Sequence, residues 1–280
     1  MCDSSITRAE HATTCVMSTS PSCPACDAHA AADLGQAGVC HLWRCACGLV
    51  FADRATWRDP YSNKDYYDPA HQPEEHYPLQ PTATERDRIV TVQRFAQSGR
   101  LLDFGGGIGR TGLAAHAAGF QTIVLEDSHK AVSDGKTHHP EIEWLESKTI
   151  PDSIADGSLD VITLFHVLEH LTEPRTVLAQ IHRKLRPGGL LVIEVPNWGS
   201  HVRRLRGLHW QFVLDHHVNH FTAASLTRLV GKSGFKLGAV EFRRTFAVNE
   251  TQGWKEPLKK LLCLLGFGDI LRCSFLKSNS

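Results

Sequence analysis

Residues 101 to 110 read Leu-Leu-Asp-Phe-Gly-Gly-Gly-Ile-Gly-Arg, an apolar run ending in an aspartate and then four glycines within five positions. Leu113, Ala114, Ala117 and Ala118 follow at helical spacing before Gly119. This pattern predicts strand, tight turn, helix. Glycine accepts positive φ and lets a ligand reach bare backbone, and the helix behind the turn offers unpaired N–H groups. Gly107-x-Gly109-x-x-Gly112 satisfies the dinucleotide fingerprint as written. Asp103 weighs against a dinucleotide, because a carboxylate beside the turn repels a pyrophosphate and attracts an ammonium group.

From that turn onward, strand-like and helix-like patterns alternate, as a parallel sheet requires. Strands are expected at 101–104, 122–125, 141–145, 159–165 and 190–195. The run at 159–165 is almost unbroken apolar, as in a strand covered on both faces. Thr82-Ala83-Thr84-Glu85 is a capping box, and the helix it starts carries Ile89, Val92, Phe95 and Ala96 on one face. Pro174 opens a later helix with Val177, Leu178, Ile181 and Leu185 inward, and Pro187-Gly188-Gly189 turns it into the strand at 190–195. Thr222 caps a further helix (Leu226, Leu229, Val230), followed by a strand at 235–242.

A chain of 280 residues, 42% hydrophobic, is expected to form one main domain with a small appendage. Lys+Arg and Asp+Glu both number 30, so no bulk field draws it to nucleic acid. No apolar run reaches the length of a membrane span, and an N-terminus with Asp3 and Glu10 lacks the core of a secretory signal. A cytoplasmic protein is expected, and there nine cysteines point to metal or free thiols before disulfides.

Residues 1–20, rich in Ser, Thr and Ala, read as a disordered leader. In 21–58, Cys23-Pro24-Ala25-Cys26 and Cys45-Ala46-Cys47-Gly48 are two knuckles with the separation of a small zinc ribbon, whose four thiolates close a structural site. The second knuckle has a one-residue gap where two is usual, so Cys40 is an alternative member, and a ribbon held by packing alone is the other reading. Residues 59–81 form a linker whose Tyr61, Tyr66, Tyr67 and Tyr77 either pin it down or line a substrate entrance.

Several stretches act together. They are Asp103-x-Gly105-x-Gly107-x-Gly109, Glu126 at the end of the second strand, Glu146 five residues before Pro151, Asp160 to Leu171 with its His166-x-x-Glu169-His170, Leu185 to Leu190, and Asp215-His216-His217-Val218-Asn219-His220-Phe221-Thr222. The set resembles the class I S-adenosylmethionine (SAM) methyltransferases, above all the branch related to the ubiquinone-biosynthesis O-methyltransferases, which often carries a cysteine ribbon before the core. The resemblance implies an α/β, Rossmann-like sheet of seven strands whose last member, 270–276, is antiparallel. It places a SAM-binding domain at 82–280 with an acceptor cap around 196–221. Carried over by position, Asp103, Gly105, Gly107 and Gly109 hold the methionine end of SAM. Glu126 holds the ribose, Asp127 and Glu146 lie by the adenine, and Phe165 and His166 face the sulfonium methyl.

Methyl transfer to oxygen or nitrogen needs the acceptor's proton removed, which suits histidine. His166 is the first candidate base, with His217 and His220 next. His166, Glu169 and His170 at i, i+3 and i+4 share a face if the segment is helical, and with a histidine of the second cluster that set permits a catalytic divalent metal. Glu169 and His170 in such a place are more often helix-start and hydrogen-bonding residues than metal ligands. Arg203, Arg204 and Arg206 either meet an acidic acceptor or form a solvated face. Lys259-Lys260-Leu261-Leu262-Cys263-Leu264-Leu265 is a short apolar stretch suited to peripheral membrane contact or, as we favour, to packing. The expected activity is SAM-dependent methyl transfer to a small molecule, at oxygen, in sugar, quinone or secondary-metabolite synthesis. RNA methylation, which the balanced charge disfavours, and non-catalytic SAM binding are the alternatives.

Overall fold

The computed structural model describes residues 20–54, 57, 80–244, 261 and 263–278. The leader, the linker with its tyrosines, and most of the Lys259–Leu265 stretch lie outside the described residues.

Three short strands come first, β1 (Ala32–Ala37), β2 (Cys40–Arg44) and β3 (Val50–Ala52). Helix α1 (Ala83–Gln93) begins at the expected capping box, with Thr82 and Glu85 each bonding the other's backbone. Then follow β4 (Gly99–Phe104), α2 (Arg110–Ala117), β5 (Phe120–Glu126), α3 (His129–His138), β6 (Glu143–Glu146), β7 (Leu159–Phe165), α4 (Pro174–Lys184) and β8 (Leu185–Pro196). After these come α5 (His201–Arg206), β9 (Asn219–His220), α6 (Ala223–Lys232), β10 (Phe235–Arg243) and β11 (Ile270–Lys277).

Seven strands form one sheet in the order β10-β11-β8-β7-β4-β5-β6. The pairs among β4 to β8 are parallel, and β11 runs antiparallel to both β8 and β10. The centre of the sheet is buried on both faces, with Leu102, Ile162, Leu164, Leu191 and Ile193 sealed from solvent. Continuous apolar runs therefore mark these strands, where alternation would mark a half-exposed one. Strand β8 starts at Leu185, earlier than the expected 190, because Leu185 already pairs with Leu159; the residues between, with Gly188 at φ 70°, bulge out before Leu190 pairs with Val161.

Two features depart from the sequence reading. The segment His166 to Leu171 is a series of turns and not a helix, and His166 has a left-handed φ of 58°. The ribbon is also not an independent appendage: its sheet has the order β1-β2-β3-β9, completed by two residues from beyond β8. Cys23, Cys45, Leu49 and Phe51 share one buried cluster with Phe221, Leu226 and Leu229, so the ribbon and the larger domain have a common core.

Candidate active site

The glycine turn hangs from the carboxyl end of β5. The Gly105 and Gly106 N–H groups both donate to the Leu125 carbonyl, at 2.7 and 3.1 Å. Gly105, Gly107 and Gly109 have φ of 66°, 56° and 88°, where side chains are strained. A Cβ on Gly105 would lie 2.7 Å from Val167 Cγ2, and one on Gly109 would enter the Trp144 ring. Asp103 lies beneath the turn, 2% exposed, with Thr163 Oγ1 donating to its Oδ1 at 2.7 Å. Burial pushes its carboxyl up to about 6, against the pull of that hydrogen bond. A Cβ on Gly106 would sit 2.8 Å from Asp103 Oδ2, so the carboxylate packs directly under the backbone of the turn.

Glu126 ends β5 and closes the turn from the other side. Its Oε2 accepts from Gly107 N–H at 2.9 Å and its Oε1 from Ser128 N–H at 3.1 Å. Burial, with the neighbouring Asp127 carboxylate, raises its pKa to about 7. Asp127 is exposed, 3.8 Å from Lys148 Nζ. Glu146 sits opposite Glu126 at the end of β6 and takes a contact from His129 Nδ1 at 2.9 Å. The three acids thus gather along one edge of the strand ends.

Across the turn, Phe165 ends β7 with the Arg88 guanidinium 4.7 Å from its ring centre. His166 follows, with both ring nitrogens facing carboxylates: Nδ1 is 3.2 Å from Glu169 Oε1 and Nε2 is 3.4 Å from Glu194 Oε1. Burial works against a charge on this ring, but the two carboxylates outweigh it and raise its pKa to about 9. Burial likewise pushes Glu194 up, yet His166, Arg88 and Arg272 hold it far below the usual range. Glu194, Arg88 and Arg272 were not among the residues expected at the site. A signal was present, since Glu194 and Arg272 each interrupt an apolar strand, where a lone charge is affordable only when paired.

The histidine-rich segment returns to this place. Asn219 N–H donates to the Glu169 carbonyl at 3.0 Å and Asn219 Nδ2 to the Leu171 carbonyl at 2.7 Å, tying β9 to the turns after β7. His170 Nδ1–H donates to the His216 carbonyl (3.1 Å) and His217 Nδ1–H to the Phe212 carbonyl (2.8 Å). A carbonyl can only accept, so each ring carries a proton on Nδ1 and turns Nε2 away from that bond. Burial lowers His217 to about 4 and His220 to about 3, so both are neutral. His220 packs on Trp198, with ring centres 4.8 Å apart. Of the five expected residues, His166 pairs with Glu169, while the rings of His170 and His217 meet at 4.8 Å and those of His217 and His220 at 6.4 Å.

The ribbon cysteines gather as well. Cys23 and Cys47 Sγ lie 3.7 Å apart, and Cys26 and Cys45 Sγ 3.5 Å apart. A tetrahedral zinc with bonds of about 2.3 Å needs sulfur pairs about 3.8 Å apart, so the set fits one. Ala25 N–H points at Cys23 Sγ and Cys47 N–H at Cys45 Sγ, both at 3.4 Å, as suits thiolates. The one-residue gap of the second knuckle is thus no obstacle. Cys40 is not a member of this set; its thiol donates to the Asp215 carbonyl at 3.4 Å.

This strand order, with a glycine turn after the first strand and an acid ending the second, defines a class I methyltransferase domain, which binds SAM over the carboxyl ends of its strands. Residues 75–240 match the family model described as a methyltransferase domain, and the chain belongs to that family. Among its relatives, a demethylmenaquinone methyltransferase of Renibacterium salmoninarum is 31% identical over 94 residues, 34% of this chain and 40% of that protein. A ubiquinone/menaquinone biosynthesis C-methyltransferase of Rubrivivax gelatinosus is 28% identical over 115 residues, 40% of this chain and 46% of that protein. The chain thus spans less than half the length of either. A SAM-dependent methyltransferase from Mesorhizobium loti, solved by crystallography, shares the fold, with a TM-score of 0.53 at 19% identity over 70% of this chain and 98% of its own. Among the described residues, no helix is long and apolar enough to cross a membrane.

Proposed function

We propose that the chain transfers the methyl group of SAM to a hydroxyl of a small molecule, of the sugar, quinone or secondary-metabolite kind. The observation that carries this reading is the closeness of the donor turn to the segment after β7: a Cβ on Gly105 would lie 2.7 Å from Val167, three residues before His170, whose ring meets that of His217.

Bound SAM supplies an electrophilic methyl on a sulfonium. In this reading Gly105, Gly107 and Gly109 cradle its methionine end, and the Asp103 charge beneath them favours the ammonium. Glu126 accepts from the ribose hydroxyls, Asp127 and Glu146 border the adenine, and Phe165 covers the methyl. The chain's task is then to hold the acceptor in line at about 3 Å and take its proton. His170 and His217 suit that second role better than His166, because their Nε2 lone pairs are available while His166 is held as a cation between two carboxylates. His220 packs behind them.

We assign a structural zinc to Cys23, Cys26, Cys45 and Cys47; four protein ligands leave it no open position for catalysis. Leu261 and Leu265 stand exposed, which supports peripheral contact with a lipid surface over the packing favoured from sequence. The kinship with quinone-modifying enzymes agrees with such an acceptor, and the printed name of the Rubrivivax relative makes carbon the second reading for the methylated atom.

The test is turnover of SAM to S-adenosylhomocysteine with a panel of hydroxylated metabolites, followed by NMR of the product. A new methoxy signal supports the proposal. A new C-methyl replaces oxygen with carbon, and methylation of RNA alone overturns the small-molecule reading.

A further inference from the structure

We infer that His170, His216 and His217 form a three-imidazole site for a late first-row divalent metal such as zinc, distinct from the ribbon. The inference rests on the small-molecule hydroxyl reading only for what the metal does, not for whether it binds.

One ligand nitrogen from each of these three side chains lies within 4.8 Å of the others. The rings come from two segments far apart in sequence. His170 stacks on His216 with centres 5.1 Å apart and meets His217 edge-on at 4.8 Å, while His216 and His217 are 4.9 Å apart. Two of the three are already oriented as metal-binding histidines are, with Nδ1–H donated to a backbone carbonyl and Nε2 left as the ligand atom.

The surroundings favour a cation. Glu169 is 1% exposed, its Oε2 has no hydrogen-bond partner among the described residues, and its charge acts on both His170 and His217. The third histidine is held in place from the ribbon. Asp215, its neighbour, accepts from Cys40 Sγ and Trp57 Nε1 at its carbonyl, at 3.4 and 2.7 Å, and from Val39 N–H at its carboxylate, at 3.2 Å.

The donor set decides the metal. Three imidazoles without a coordinated carboxylate suit zinc, cobalt, nickel or copper and suit magnesium or calcium poorly. This differs from the set expected from sequence, because the Oε1 of Glu169 is engaged by His166 and His216 takes the third place. Metal–nitrogen bonds of about 2.0–2.1 Å require the nitrogens to draw together to about 3.4 Å, so the His216 ring must turn out of its stack on His170.

Three protein ligands leave a position open. An acceptor hydroxyl bound there loses its proton to solvent more readily. Its oxygen lone pair then forms the bond to the methyl carbon, while sulfur keeps the pair from the broken C–S bond. The imidazole lone pairs would then serve the metal instead of acting as the base.

Cobalt(II) alone, titrated into the whole protein with its ribbon metal in place, tests the site without SAM or acceptor. The expected result is one cobalt per chain beyond the ribbon, with visible d–d bands and no thiolate-to-cobalt charge transfer. His216→Ala and His170→Asn should each weaken this binding by about tenfold or more, with SAM affinity and circular dichroism checking that the variants fold. Cobalt that does not bind below millimolar, or that binds both variants as tightly as the parent, overturns the site. A metal-loaded protein that methylates no hydroxyl counts against the proposed function and leaves the site standing. Full methylation of a hydroxyl by the parent protein freed of this metal overturns the metal's role and leaves the function standing.

Discussion

Arg272 lies directly opposite Glu194 across the antiparallel β11–β8 pair, with Arg272 Nε 2.7 Å from Glu194 Oε2 and both side chains 3% exposed. Arg88 holds the other oxygen of Glu194, and Asp87 and Thr91 take the remaining reach of Arg272. The last strand of the sheet is thereby joined to the first helix and, through Glu194, to His166.

Removing Arg272 takes one of three cationic partners from the buried Glu194 and leaves Arg88 and His166. Arg272→Met is expected to lower stability by about 1.5–3 kcal/mol, and the double variant Arg272→Met/Glu194→Gln to recover part of that loss. Urea unfolding of the single and double variants measures it. A single variant as stable as the parent would show that the pair is structurally idle.

Glu126 gives SAM binding a pH dependence. Its folded pKa of about 7 lies above the ordinary carboxyl value, so the folded chain binds more protons than the unfolded one between the two. The ligand-free protein therefore loses stability from this group as pH rises from about 4.5 to 7. The ribose hydroxyls need the carboxylate as acceptor, so SAM affinity is expected to rise through the same window and level off above it. Glu126→Gln should weaken SAM by about tenfold and flatten the profile, read by calorimetry at several pH values.

His166 has the opposite sign. Its folded pKa of about 9 exceeds its ordinary value, so its pairing with Glu169 and Glu194 stabilises fully below about pH 6.5 and is lost as pH rises through 9. With a third of the ring in contact with solvent, the difference between parent and His166→Gln is expected to be on the order of 1–2 kcal/mol at pH 6. It should shrink towards zero by about pH 10. Thermal unfolding of both proteins across this range decides it.

Loss of the ribbon metal should be felt at the histidines. Cys26→Ser with Cys45→Ser is expected to cost the chain one zinc and expose the amides of Phe51, Asn219 and His220 to hydrogen exchange. SAM affinity should change by no more than about threefold, because the glycine turn belongs to the other sheet. Exchange confined to Cys23–Cys47 would mean that β9 stands without the ribbon.

The seven-stranded sheet was legible because each strand is an apolar run bounded by glycine, proline or a cap, and the glycine turn marks the first crossover. The separation of the two cysteine knuckles was legible, but spacing left Cys40 open as a member until its thiol was seen to bond the Asp215 carbonyl. The turns at His166 to Leu171 were not, since i, i+3 and i+4 spacing is shared by a helix and by consecutive turns, and nothing in a histidine announces a positive φ. The joining of β3 to β9 was hidden for another reason. A two-residue strand carries no periodicity, and its partner lies at the far end of the chain. The buried network around Glu194 leaves only a faint trace in the sequence, a charge inside each of two apolar strands.

Val39 and Asp215 are bonded although 176 positions separate them in the chain. The N-terminal ribbon thus holds the segment that carries His216 and His217, and under the proposed function changes within it are expected to move those histidines without touching the glycine turn. Two relatives with the same methyltransferase core and different ribbons should differ in what they methylate. A chain trimmed of its ribbon would lay bare Phe221, Leu226 and Leu229, which now share a buried cluster with Leu49 and Phe51.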